Sequence, residues 1–210
     1  MSAAHGEQIR SLEEHADVGR SFNWWGMIFF ICSEALIFAN LIAAYLYLEI
    51  RSPQTGNGHW ILPSGDNLDW RFPLVNTFIL LSSSVWGILS SRALKRGDRR
   101  QALIWLALTI LFGLTFLGGQ VYEYTNLFGE GFTLSYKAFG SAFFLLTGFH
   151  GLHVLVGATF LFIIFIRTWR GHFTPQKHFG FEAAEMYWHF VDVVWIFVFS
   201  TVYLLPLVLN

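Results

Sequence analysis

The chain has 210 residues, of which 54% are hydrophobic, 19% aromatic and only 13% charged, with a formal net charge of −1. A soluble domain of that size needs far more polar residues to cover its surface, so the composition places the chain among integral membrane proteins. The balance is near neutral with no basic run interleaved with aromatics, which excludes a nucleic-acid partner, and a lone cysteine, Cys32, excludes a disulfide framework or a CxxC metal or redox pair.

Residues 1–21, "MSAAHGEQIRSLEEHADVGRS", mix acids and bases around no apolar core. They match neither a secretory signal nor a transit peptide, so a cytoplasmic N-terminal segment is expected, with the first span retained. Five apolar runs follow, at about 22–49, 72–94, 101–124, 138–166 and 181–208. Each supplies the roughly 20 helical residues needed to cross a hydrocarbon layer. A polar loop at 50–71 and three short loops join them, with no stretch long enough for a soluble domain and no internal repeat. The expected architecture is all-α: a polytopic membrane protein built as a bundle of five transmembrane helices, with 1–210 forming a single membrane domain. Gly113, Gly118, Gly119, Gly148, Gly151 and Gly157 suit close helix–helix approach in lipid, or simply reflect the glycine frequency of membrane helices.

Lys and Arg set the expected orientation. Ten of the 13 lie on one side: Arg10 and Arg20 before the first span, Arg92, Lys95, Arg96, Arg99 and Arg100 in the second loop, and Arg167, Arg170 and Lys177 in the fourth. Arg51, Arg71 and Lys137 lie on the other. The positive-inside rule then puts the N-terminus in the cytoplasm and the C-terminus outside, in a cell membrane.

Several polar residues sit at membrane depth. Glu34, in "FFICSEALIFAN", lies nearly midway between Arg20 and Arg51, roughly 15 Å from either edge. His150 and His153, in "FLLTGFHGLHVLVG", fall midway between Lys137 and Arg167, and Asp192 is near the middle of the last span. Each buried charge costs about 2.5–3.5 kcal/mol on insertion scales, so these side chains must face protein, water or each other. Glu182, Glu185, His189 and Asp192 follow the i, i+3, i+7, i+10 spacing of one helix face, which predicts a single internal polar stripe. His150 and His153 form an i, i+3 pair on the fourth span. A protonated carboxyl, or a carboxylate paired with an imidazolium, would avoid an uncompensated charge. Glu123, at the outer end of the third span, is expected at the interface.

Such a stripe reads as a proton path, a metal or haem site, or a substrate site. The structural reading beside these is interhelical glue, worth about 0.6 kcal/mol per bond. Bis-histidine haem ligation would need His150 or His153 to meet His189. A dinuclear copper entry site would need two thiolates, and there is one cysteine. No nucleotide loop, zinc-protease helix or nucleophile elbow is present, and no inverted halves point to a proton-coupled transporter. The chain is expected to carry no catalytic centre, no metal and no redox chemistry of its own.

The segments "HFGFEAAEMYWHFVDVVWIFVF", "TGFHGLHVLVGATF", "FICSEALIFAN" and "FPLVNTFILLSSS" resemble, in order, the signature segments of subunit III of haem-copper respiratory oxidases. The resemblance implies a non-redox accessory subunit of a proton-pumping terminal oxidase that reduces O₂ to water. It implies direct contact with subunit I, whose proton-uptake side it shelters, and association with subunit II and the other subunits. Haem and copper are expected in those partners, with bound phospholipid on this chain. Glu34 matches the family's carbodiimide-reactive buried glutamate. Glu182, His189 and Asp192 match polar positions of its last helix, and His150 and His153 those of the helix four from its start here. The mitochondrial type has seven helices, so with five the V-shaped lipid cleft is expected to be absent or completed by subunit I. The five-helix form resembles bacterial enzymes that oxidise quinol or cytochrome c. Glu185 stands where the family usually has a small residue. The alternatives are an accessory subunit of a nitric oxide reductase and, from another class, a haem-b membrane cytochrome.

Overall fold

The computed structural model describes residues 2–51, 62–63, 68–174 and 178–206, with side chains from residue 22 onward. Among these described residues five α-helices run in chain order: α1 (Ser2–Arg51), α2 (Arg71–Lys95), α3 (Arg99–Gly129), α4 (Lys137–Trp169) and α5 (Phe179–Phe199), the last continued by a π-helical turn, Ser200–Leu204. All five are long and apolar enough to cross a membrane, and the chain is a multi-pass, all-α membrane protein. Most of the loop at 50–71, Lys177 and the tail from 207 lie outside the described residues. One difference from the expected spans is that α1 begins at Ser2, twenty residues before the apolar run. Residues 2–21 contain no proline, so nothing in them forces a break in the backbone ladder.

Helix ends follow local chemistry. Pro73 falls in the first turn of α2, where its missing N–H has no partner to lose. α2 stops in a Schellman motif: Gly97, at φ 82°, donates to the Leu94 carbonyl (2.9 Å), and Asp98 donates to that of Ala93 (3.0 Å). Asp98 then caps α3 by accepting from the Gln101 amide at 3.0 Å. The end of α4 repeats the motif with Gly171, at φ 78°, and His172.

Packing divides the chain into residues 1–37 and 38–210. The first unit holds the earlier part of α1, whose Phe22, Trp25, Phe29 and Leu36 are exposed while Glu34 is half-buried. In the second unit α2 packs on α3 and α5, and α4 packs on the same two, closing a ring of four helices. The rest of α1 contributes Phe38 and Tyr45, both almost fully buried.

Trp188 of α5 ties the ring together. Its Nε1 donates to Ser83 Oγ on α2 at 2.9 Å. Its ring lies against Gly113 of α3 and Gly157 of α4, so closely that a methyl group at either glycine would overlap it. Gly119 and Gly151 likewise leave room for Asn76 and Gln120, which donate to the Phe116 carbonyl (2.9 Å) and the Thr147 carbonyl (2.8 Å) on neighbouring helices. Four of the six glycines singled out in the sequence thus mark close approaches. Gly118 meets nothing within 4 Å, and Gly148 only the Tyr124 hydroxyl at 3.6 Å.

Candidate functional site

Ionisable groups gather along the seam between α2 and α5. At the start of α5 Lys95 Nζ lies 2.9 Å from Glu182 Oε1, and His178 Nε2, which precedes α5, lies 3.1 Å from the same oxygen. One turn on, Glu185 Oε1 is 3.7 Å from His189 Nε2, the i, i+4 geometry of a helix surface. His189 Nδ1 is 2.8 Å from Ser84 Oγ on α2, and the same hydroxyl bonds Asp192 Oδ2.

Proton counting orients this cluster. A serine hydroxyl has one proton, and Ser84 donates it to Asp192. With Asp192 ionised, Ser84 can then only accept from His189, and the imidazole carries its proton on Nδ1; with Asp192 protonated the chain reverses, Ser84 donating to Nδ1 while Nε2–H faces Glu185. A second proton on Nε2 would make an imidazolium facing the Glu185 carboxylate. The seam can therefore hold a proton in more than one place over about three helical turns, roughly 15 Å.

The stripe expected on α5 lies on one face, but it is internal only at its far end. Asp192 is 3% exposed, and its Oδ1 is buried without a hydrogen-bond partner among the described residues. The side chains of Glu182, Glu185 and His189 keep exposures of 28%, 18% and 33%. The reason is the packing of α5 against α2: Ser84 and Trp188 draw the upper part of the stripe inward, while the lower part runs along the outer lip of the seam.

The histidines of α4 have a different environment. His150 is fully buried, stacks on Trp195 at 4.7 Å and meets Phe116 edge-on at 5.9 Å. Neither of its ring nitrogens has a hydrogen-bond partner among the described residues. His153 packs on Phe38 at 4.8 Å, and its Nδ1 lies 2.8 Å from the Phe149 carbonyl of its own helix. The structure therefore joins Glu182, His189 and Asp192 in one seam and sets His150 and His153 apart among aromatic rings. Glu34 belongs to the other unit. Among the described residues no group of three His, Cys, Asp or Glu side chains is placed to hold a metal ion.

Sequence reasoning missed three contributors. Ser84 is hidden in a serine run with no periodic signal, Lys95 enters only the charge count that sets the orientation, and His178 is not singled out. Glu123, near the end of α3, accepts from the Tyr203 hydroxyl at 2.9 Å while lining a cavity of about 560 Å³ with Asp69 and Glu130. The π-helical turn places Tyr203, and a register change of that kind leaves no mark in an apolar run.

A sequence model of the family described as Cytochrome c oxidase subunit III matches residues 9–206. The chain is 46% identical over 181 residues to cytochrome c oxidase subunit 3 of Homo sapiens, which covers 85% of this chain and 68% of the human protein. It is 43% identical over 180 residues to the Cyprinus carpio protein of that name, with the same shares of each chain. Against the Marchantia polymorpha protein it is 43% identical over 181 residues, covering 85% of this chain and 67% of that one.

Proposed function

The chain belongs to the cytochrome c oxidase subunit III family, and from that membership we propose that it is the non-redox accessory subunit of a proton-pumping haem-copper terminal oxidase. The observation that carries the reading is the family match across nearly every helix, residues 9–206. On this reading the electron path, with its haems and copper, lies in partner subunits, and the enzyme's catalytic centre is not in this chain. It contacts subunit I directly, with subunit II and others in the same complex, and shelters the proton-uptake side of subunit I. The polar seam from Lys95 to Asp192 supports that role, since it begins at the inner end of α5 and places proton-holding groups below mid-depth. Glu34, His150, His153, Glu182, His189 and Asp192 are then structural or proton-related groups rather than ligands.

Residues 1–210 act as one membrane domain in a cell membrane, with the N-terminus cytoplasmic. Phospholipid occupies the surface of the chain. Support comes from an apolar groove of about 360 Å³ lined by Leu41, Ala44 and Leu48 of α1 and Ala138, Ala142 and Leu145 of α4.

Purification with native partners tests the proposal. The complex should contain haem and copper, and the separated subunit should give neither a pyridine haemochrome spectrum nor a copper signal; near one equivalent of either in this chain would refute it. Removing the subunit should leave initial O₂ reduction largely intact while the enzyme inactivates during turnover. Immediate and complete loss of activity in a correctly assembled core would contradict the sheltering role.

A further inference from the structure

We infer that the outer lip of the α2–α5 seam, centred on Ser84, Glu185 and His189, is a docking face for a transmembrane helix of a different subunit that presents a hydrogen-bond donor at that depth. The inference rests on the reading of this chain as one subunit of a multi-subunit oxidase, and it deepens that reading by naming a face and the chemistry it requires.

Three observations carry it. The first is depth. Glu185 and His189 lie six and ten residues into the apolar span Phe179–Leu204, roughly 9 and 15 Å from its inner end. Their side chains keep 18% and 33% of their surface open. Hydrocarbon offers those atoms no hydrogen bond, and ionisable groups at such depth face protein or a water-filled cavity.

The second is a surplus of acceptors. The two carboxyl groups of Glu185 and Asp192 bring four oxygens, and the cluster's donors are the Ser84 hydroxyl and the His189 ring N–H groups. Ser84 is spent inside the cluster, and the partly open Glu185 carboxyl has no hydrogen bond among the described residues, His189 Nε2 standing 3.7 Å from it. What the seam lacks is a donor, which sets the partner's side chain: Arg, Lys, Trp, Tyr or a hydroxyl residue.

The third is surroundings. Val193 and Ile196, one and two turns above His189, are 51% and 44% exposed, and Ile88, one turn from Ser84, is 36% exposed. A polar centre ringed by open apolar side chains fits a packed helix, whose contacts would exclude both lipid and water from the centre. A second copy of this chain is the competing occupant, and the crosslinking test below separates it from a helix of another subunit.

The test uses the intact complex in native membranes. With a photo-crosslinking p-benzoylphenylalanine in place of Val193, illumination should give an adduct with a helix of another subunit that contains a donor side chain near the crosslink. Adducts with lipid alone, or with a second copy of this chain, would overturn the inference. Glu185→Leu gives a second readout. On a docked face it should weaken retention of the subunit during detergent washing about three- to fifteen-fold, the range for one interhelical hydrogen bond, with Glu185→Gln retaining most of the binding. On a lipid face the leucine variant would be retained as well as the parent, and that result would also overturn the inference. The oxidase reading fails separately: an adduct with a protein of a complex lacking haem and copper would leave the docking face standing and remove the oxidase. A haem-copper complex whose position-193 adducts are lipid would do the reverse.

Discussion

Replacing Gly113 with alanine should drive a methyl group into the Trp188 ring. A Cβ there would lie 2.7 Å from Cζ2 and nearer still to Cη2, whereas non-bonded carbons are most stable at about 3.5–4.0 Å. The ring has little room to retreat. A Cβ at Gly157 would lie 2.9 Å from Cε3 on its other side, and Ser83 holds Nε1 at 2.9 Å. Relief therefore requires α3 to step outward by about 1 Å, and overpacking of this kind costs ~1–3 kcal/mol. Trp188→Phe removes the atoms that clash, at the cost of the indole hydrogen bond, ~0.6–1.7 kcal/mol in a membrane protein, plus lost packing. In the double variant the new methyl group enters space the indole has left. The double variant should be at least ~1 kcal/mol more stable than the sum of the single effects implies. SDS-induced unfolding in mixed micelles, followed by loss of far-UV helical signal, gives the four free energies of the cycle. Strict additivity, or a Gly113→Ala variant within about 0.3 kcal/mol of the parent, would refute the view that Trp188 is wedged between α3 and α4.

Tyr203→Phe leaves the Glu123 carboxyl without its cross-helix donor and should cost ~1–3 kcal/mol in the same assay; adding Glu123→Leu should recover part of that loss, and no recovery would show that the tyrosine matters only through packing. A hydrophobic carbodiimide added to membranes should label Glu34 and spare the loop residue Asp98, as peptide mass mapping would reveal; Glu34→Gln should abolish that label with normal assembly, and persistence of labelling at the same peptide would place the reactive carboxyl elsewhere. A topology reporter fused after residue 206 should be active outside the cytoplasm and one inserted near Arg99 inside it; the reverse pattern would overturn the charge-based orientation.

The sequence alone determined the number of spans, because an apolar run of about 20 residues has few alternatives to a membrane helix. It also determined that Glu182, Glu185, His189 and Asp192 share one face of α5, since the 3.6-residue period fixes the angular position of every side chain on its own helix. Family membership was legible for a different reason: the last-helix string is long enough to identify without any geometry.

Tertiary structure decided what each face meets. Helical period says nothing of the register or rotation of one helix against another, so the pairing of Ser84 with His189 and Asp192 could not be read from either span. The same holds for His150. Its i, i+3 relation to His153 predicted a polar face, yet the packing of α4 on α5 and α3 delivers Trp195 and Phe116 to it rather than the polar stripe. The stripe's gradation, buried at Asp192 and open at His189, follows from where α2 runs beside α5. Trp188 shows the limit most plainly. In sequence it is one aromatic among many, and it becomes the tie of the ring because two glycines and a serine, from three other helices, converge on it in space.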